Sequence, residues 1–269
     1  MFIYSIWDSI CKDVAKMNVI KIEEILESAN LSQWIAIKHD VETNVSKALD
    51  LAKIESKYGI KATYYVQADL LDSNYKLLQG IQKLGHTVTY HYDVLDANSG
   101  DINEAIKDFD TNILKFEKYG FDVKTVCPHG NPVMIRNGWN SNKDFFRDEK
   151  IQKLYPDILD IVIQLPQKVD HIYISDAGYG FKEIVNIKDN DIKNNGDIEI
   201  QDVKELLIAL NKNKYIILST HPHRWEKSIF NFIVRVYLFK ILRVTAKILA
   251  RVPLLKNIIS KYYYLAKKI

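Results

Sequence analysis

Runs of β-branched and aromatic residues alternate with amphipathic helical stretches along most of this chain, and glycines mark many of the joints. That alternation restricts the fold to a parallel sheet covered by helices, closed as a barrel or open and doubly wound. The best-defined run, 34–38, leads straight into His39-Asp40-Val41-Glu42. Strands of this kind bury their flanks, so polar groups at the C-terminal end emerge together at the sheet edge.

Residues 1–30 read as helical, with Ile6, Ile10, Val14 and Met17 at three- and four-residue spacings. Asn44 suits the N-cap of a helix reaching Tyr58, and Gly59 suits its C′ position. A second strand is expected over 61–66, a helix over 73–84 closed by Gly85, and a third strand over 86–91. Asp101 with Glu104 resembles a capping box, and Ile102, Ile106, Phe109, Ile113 and Phe116 then form one stripe that ends at Gly120. A fourth strand follows over 123–127. Beyond it the pattern gives a loop over 131–142, a helix over 143–155 and short strands over 161–164 and 171–175. A turn-rich stretch over 186–196 precedes a helix over 202–210 and a buried strand over 215–219 that runs into His221. Neither GxGxxG nor GxxxxGK[ST] occurs, so nucleotide binding of the common kinds has no support.

A chain of 269 residues, 47% apolar and 26% charged, suits a soluble globular protein with a core large enough to need no disulfide. Cys11 and Cys127 lie far apart without a CxxC pattern, which points to a reducing compartment and no thiolate metal cluster. The first residues lack the basic region of a secretory signal, and no apolar run approaches the roughly 20 residues that span a bilayer. The expectation is a cytoplasmic protein.

Six of the seven histidines fall in four clusters, each in or at the end of an expected strand: His39, His86 with His91, His129, and His221 with His223. A site assembled from strand ends explains this economically. A carboxylate and two imidazoles with a position left for water suit a catalytic divalent cation such as zinc. Asp40 is the natural carboxylate. His86 and His91 are an odd five residues apart and so face opposite sides of a strand. His91, nearer the strand end, is the expected ligand, and His86 is expected to be structural. Bland readings stand beside these: His129 before Gly130 also suits a tight turn, His223 reads as solvent-facing, and His171 as an ordinary strand start.

Five ordered segments resemble those of the polysaccharide deacetylase (NodB-homology) family. They are Lys38-His39-Asp40-Val41-Glu42; Gly85-His86-Thr87-Val88-Thr89-Tyr90-His91-Tyr92; Cys127-Pro128-His129-Gly130-Asn131-Pro132; Tyr173-Ile174-Ser175-Asp176-Ala177-Gly178; and Leu218-Ser219-Thr220-His221-Pro222-His223-Arg224-Trp225. The strand over 61–66 also looks like the family's, and the match covers roughly residues 30 to 226. The resemblance implies a distorted (β/α) barrel and metal-dependent removal of an acyl group from an amino sugar.

In that family the first motif holds two adjacent aspartates, a base and then a metal ligand. Here His39 takes the base position and Asp40 keeps the ligand position. The second motif's second histidine falls on Leu95, and the third motif's Arg is replaced by a segment with Cys127 and His129. These departures define a divergent branch. The reading that follows has His129 joining Asp40 and His91 as metal ligands and His39 as general base, since an unperturbed imidazole pKa of about 6.5 suits that task. His221 protonates the leaving amine, and Asp176 holds an imidazole in the required tautomer. Glu42, Tyr92, Tyr179 and Trp225 are the expected substrate contacts, the aromatic faces suiting the apolar side of a pyranose.

Net charge is only +3, yet no Asp or Glu follows Glu226. From 228 to 252 the sequence is helical and apolar, with Lys240, Arg243, Lys247 and Arg251 on one face; Pro253 interrupts, and an amphipathic second piece follows. The expected organisation is a barrel over 1–226 and a basic amphipathic tail over 227–269. Such a tail suits an anionic membrane surface, with a helix packed on the barrel as the alternative; nucleic acid is not expected. Together these features point to a hydrolase of N-acylated sugars in surface-glycan assembly, acting on a carbohydrate substrate that a membrane-bound tail would bring near lipid-linked intermediates on the inner membrane face. The rival is a catalytically silent glycan-binding or assembly protein that retains the barrel.

Overall fold

The computed structural model describes residues 1–27, 31–131, 134–192 and 196–249. Its strands are β1 (Val19–Ile20), β2 (Trp34–Val41), β3 (Thr63–Val66), β4 (Thr87–Tyr92), β5 (Thr125–Pro128), β6 (Leu159–Asp160), β7 (Ile172–Ser175), β8 (Phe181–Glu183), β9 (Ile198–Ile200) and β10 (Tyr215–Thr220). They form one ten-stranded sheet in the order β6-β5-β4-β3-β2-β10-β7-β8-β9, with β1 also paired to β2. All pairings from β6 to β7 are parallel, and β8 pairs antiparallel with both neighbours. This is the expected mixed α/β architecture of distorted barrel type; among the described residues no pairing closes β6 on β9.

β2 is the hub, and all eight of its residues are buried, as a strand covered on both faces requires. Alternation sends Lys38 and Asp40 to the inner face and Ile37, His39 and Val41 to the outer one. The inner face is polar: the Tyr65 and Thr125 hydroxyls share a hydrogen bond of 2.9 Å, and the Thr89 hydroxyl donates to the Thr125 carbonyl at 2.6 Å. The outer face is covered by helices α1 (Tyr4–Val14), α2 (Val45–Ser56), α3 (Leu71–Lys83), α4 (Val94–Ala97) and α5 (Ile102–Lys118). Tyr90 on β4 meets Phe109 and Phe116 of α5 at centroid distances of 5.5 and 5.3 Å.

Glu55 of α2, fully buried, organises the polar centre of this outer layer. It accepts from His39 Nε2 and the Tyr64 hydroxyl at 2.7 Å each and from Trp7 Nε1 at 3.1 Å, and it faces His86 Nδ1 at 3.6 Å. Burial disfavours its charge, but His39, His86 and Tyr64 outweigh that and hold the carboxyl below its ordinary range.

Some local expectations hold and others are corrected. The first helix stops at Val14, and Val19–Ile20 pair with Ile35–Ala36 instead of continuing it. Asn44 precedes α2 with a positive φ of 50°, and its carboxamide oxygen accepts from the Ser46 hydroxyl rather than from a backbone N–H. Gly85, at φ 92°, supplies the left-handed turn that returns the chain from α3 into β4. Residues 161–164 form a turn, because Asp160 accepts from the Val162 and Ile163 N–H groups at 2.8 and 2.7 Å. The stretch over 143–155 splits into α6 (Lys143–Arg147) and α7 (Glu149–Leu154); α8 (Leu165–Lys168) and α9 (Val203–Lys212) follow.

The final helix, α10, covers Ile229–Leu249; the second tail piece lies outside the described residues. Glu226, just before α10, ties this segment to the N-terminal residues: its carbonyl accepts from Tyr4 N–H at 2.9 Å and its N–H donates to the Phe2 carbonyl at 3.0 Å. Its carboxylate pairs with Lys47 of α2 at 2.6 Å and Arg235 of α10 at 2.7 Å.

Candidate functional site

The inner-face C-terminal ends of β2, β4, β5 and β10, with the residue after β7, bring together Asp40, His91, Cys127, His221 and Asp176. Lys38 and Asp40 share this face two residues apart. The Lys38 ammonium, fully buried, donates to both Asp40 carboxylate oxygens at 2.7 and 2.9 Å and to Cys127 Sγ at 3.1 Å. Burial opposes the charge on each partner. For Lys38, Asp40 and Cys127 reverse this and hold the ammonium well above the ordinary lysine range. For Asp40, Lys38, His91 and His221 hold the carboxyl down at about 2.

His221 follows β10. Its Nδ1 donates to Asp176 Oδ1 at 2.6 Å and its backbone N–H to Asp176 Oδ2 at 3.0 Å, so Nε2 is directed at Asp40 Oδ2, 3.8 Å away. Asp176 also accepts from Arg224 at 3.1 Å and Trp225 Nε1 at 3.2 Å. Burial works against its charge, and His221 and Arg224 keep it ionised below its ordinary value. A carboxylate that fixes both the tautomer and the ring direction of an imidazole is the arrangement used to deliver a proton to a defined point.

His91 has the complementary arrangement. Its Nδ1–H donates to the Cys127 carbonyl at 2.9 Å, and its buried Nε2 has no hydrogen-bond partner. Burial opposes its charge, but Asp40, the Cys127 side chain and Glu42 lift its pKa to about 10. Surroundings that favour a proton on Nε2 also favour a cation there. Glu42 Oε1 lies 3.9 Å from His91 Nε2 and 3.3 Å from His129 Nε2. His129 is pinned in place: its N–H donates to the Tyr92 carbonyl at 2.7 Å, and its own carbonyl accepts from Asn142 at 2.9 Å. A carboxylate and two imidazoles around an unpartnered buried nitrogen fit a divalent cation. Among the described residues, Asp40, His91 and Cys127 are the group whose donor atoms all lie within 4.8 Å of one another.

The sequence-derived residues thus divide. Asp40, His91, His129, His221, Asp176 and Glu42 converge on the inner face. His39 does not: adjacent residues of a strand point to opposite sides, so it lies under α2, with Nε2 bonded to Glu55 and Nδ1 to the Thr220 hydroxyl at 2.6 Å. Both nitrogens are engaged away from Asp40, which corrects its assignment as general base. Two of the aromatic contacts are corrected likewise. Trp225 is fully buried against Phe2 and Trp7 at centroid distances of 4.9 and 5.0 Å, and Tyr92 is buried with its hydroxyl on Asp160 at 2.6 Å. Neither presents a face to a ligand. Tyr179 is half-buried beside Phe2 and Phe232.

His86 accepts from the Ala62 N–H at 3.0 Å and donates to the Ala52 carbonyl at 3.1 Å, a purely structural bridge. His223 is buried rather than solvent-facing. Leu95, at the position of the second motif's second histidine, is packed in the core. Lys38 and Cys127 were absent from the expected site; a parity count along β2 and β5 would have found them, since Lys38 shares Asp40's face.

The sequence matches no protein-family model and no curated protein. Solved structures similar to the chain include the family 4 carbohydrate esterase from Streptomyces lividans in complex with acetate, at 12% identity over 71% of this chain and 80% of that one, with a TM-score of 0.43. Another is the catalytic domain of a peptidoglycan N-acetylglucosamine deacetylase from Eubacterium rectale, at 15% identity over 78% and 84%, with a TM-score of 0.42. A third is a family 4 pseudoenzyme from Bacillus anthracis, at 14% identity over 80% and 62%, with a TM-score of 0.41.

Proposed function

We propose that this chain hydrolyses the amide of an N-acylated sugar, as a divergent member of the polysaccharide deacetylase type. The observation that carries the reading is the line Asp176–His221–Asp40, an oriented imidazole at 2.6 Å from its orienting carboxylate and 3.8 Å from a second one that stays ionised. In the proposed step a water attacks the acyl carbonyl carbon and gives a proton to Asp40. The C–N bond then breaks as protonated His221 donates its proton to the leaving nitrogen, yielding a free amine and a carboxylic acid. A divalent cation, zinc being the expected one, held by His91, His129 and Glu42, would polarise the carbonyl and acidify the water. Tyr179 is the aromatic left to stack on the sugar.

The test is release of amine from N-acetylated glucosamine oligomers by wild-type protein and by His221→Gln. Wild-type turnover that falls by about 10²–10⁴-fold in the variant is the expected result. No amine from wild-type protein over the same panel would favour the silent glycan-binding reading, which draws on Leu95 in place of a ligand and on the cation already bonded to Asp40.

We also propose that α10 rests on an anionic membrane. Phe230, Ile233, Tyr237 and Ile241 are exposed at 74, 58, 66 and 46% along one side, while Arg235 turns back to Glu226. Among the described residues, no helix is long and apolar enough to cross a membrane. Wild-type protein is expected to float with phosphatidylglycerol vesicles, and the double variant Phe230→Ser, Tyr237→Ser to stay behind; equal flotation would reject the contact. Binding of this kind would bring the site near lipid-linked sugars on the inner face of a membrane.

A further inference from the structure

The cluster of Asp40, His91 and Cys127 offers oxygen, nitrogen and sulfur donors within 4.8 Å of one another, a set that suits zinc or cobalt. Yet a cation already stands on two of the three. The Lys38 ammonium is 2.7 and 2.9 Å from the Asp40 oxygens and 3.1 Å from Cys127 Sγ. It is held from the sides as well, 5.3 Å from the Tyr65 ring centroid and 5.6 Å from that of Tyr173. Lys38 lies mid-strand in β2, fully buried, with β10 bonded on one side and β3 on the other.

We infer that Lys38 is a built-in cation that keeps a divalent metal ion from using Asp40 and Cys127 as ligands. An ion bonded to carboxylate oxygen and sulfur must approach to about 2.0–2.3 Å. At that distance from both atoms it would share the space of the ammonium and meet its positive charge. The carboxylate, bonded through both oxygens to a fixed donor, is reserved for proton transfer, and Lys38 acts as its positioning residue. The role of Asp40 in proton transfer rests on the proposed function, but the exclusion of the metal ion does not, so a catalytically silent barrel would show it too.

Cobalt titration of the full chain tests it, because a thiolate bonded to cobalt gives an intense near-ultraviolet charge-transfer band that oxygen and imidazole ligands do not. Wild-type protein and Cys127→Ser are expected to give the same cobalt spectrum, without that band. Lys38→Met is expected to gain the band and to bind cobalt at least tenfold more tightly, and adding Cys127→Ser to it should remove both gains. A thiolate band in wild-type protein that Cys127→Ser abolishes would overturn the inference. So would a folded Lys38→Met protein that shows none. Should Lys38→Met fail to fold, Lys38→Gln carries the same expectation, and the comparison of wild type with Cys127→Ser needs no lysine variant.

Discussion

Asp40→Asn is expected to abolish amine release and at the same time to lower stability by about 3–5 kcal/mol, because it leaves the Lys38 ammonium buried beside a neutral amide. The two losses have separate origins. The catalytic one comes from removing the carboxylate that faces His221 at 3.8 Å, and general-base contributions of this sort are worth about 10²–10⁴-fold in rate. The stability loss comes from breaking an ion pair of 2.7 Å whose lysine is fully buried. Adding Lys38→Met to Asp40→Asn should therefore restore most of the stability, measured by urea unfolding, and none of the activity. A single variant that keeps wild-type stability would show that the ammonium is not held by Asp40. Amine release at the wild-type rate would remove Asp40 from the reaction.

Glu55→Ala is expected to cost about 3–5 kcal/mol as well, by stripping a buried acceptor from His39, Tyr64 and Trp7 together. Its pH signature has a definite sign. Glu55 has a lowered pKa in the folded protein, so its stabilisation is present above the unfolded carboxylate value of about 4.3 and is lost as the pH falls through the lower folded value. His86 and His223 are held below the ordinary imidazole value by burial, so the unfolded chain takes up protons there before the native one does. The contribution of these groups should thus decline as the pH falls below about 6.5 and steepen in the carboxylate range, against an opposite contribution from Asp160, whose carboxyl burial raises to about 6. Glu55→Gln should flatten the carboxylate part alone. A Glu55→Gln protein whose urea midpoint follows the same pH course as the wild type's between about pH 7 and 4 would contradict the assignment of Glu55. In the same series, His39→Gln should lose stability yet keep its activity per folded molecule, as expected of a residue on the far side of the sheet.

How much of this was legible in the sequence follows from two rules of strand geometry. The alternation of elements predicted the parallel sheet, and the gathering of histidines and acids at strand ends predicted that Asp40, His91, His129, Asp176 and His221 would meet. The period of two separated His86 from His91. The same period also separates His39 from Asp40 and unites Lys38, Asp40 and Glu42, a consequence that adjacency in the motif obscured. The ring chemistry of Trp225 and Tyr92 suits sugars; only the packed environment, Phe2 and Trp7 around one and Asp160 on the other, shows them to be core. β8 and β9 are three residues each, too short for any periodicity to declare them.

The polar interior has a consequence for how such a chain can change. Lys38, Asp40, His91, Cys127, Tyr65, Thr89 and Thr125 fill their space through directional bonds, where branched hydrocarbons would have slid and repacked. Replacing any one strands its neighbours, so substitutions here are coupled and viable alternatives lie two or three simultaneous exchanges away. Variation inside this barrel is thereby channelled into concerted sets, with the single-residue intermediates disfavoured on folding grounds before chemistry enters.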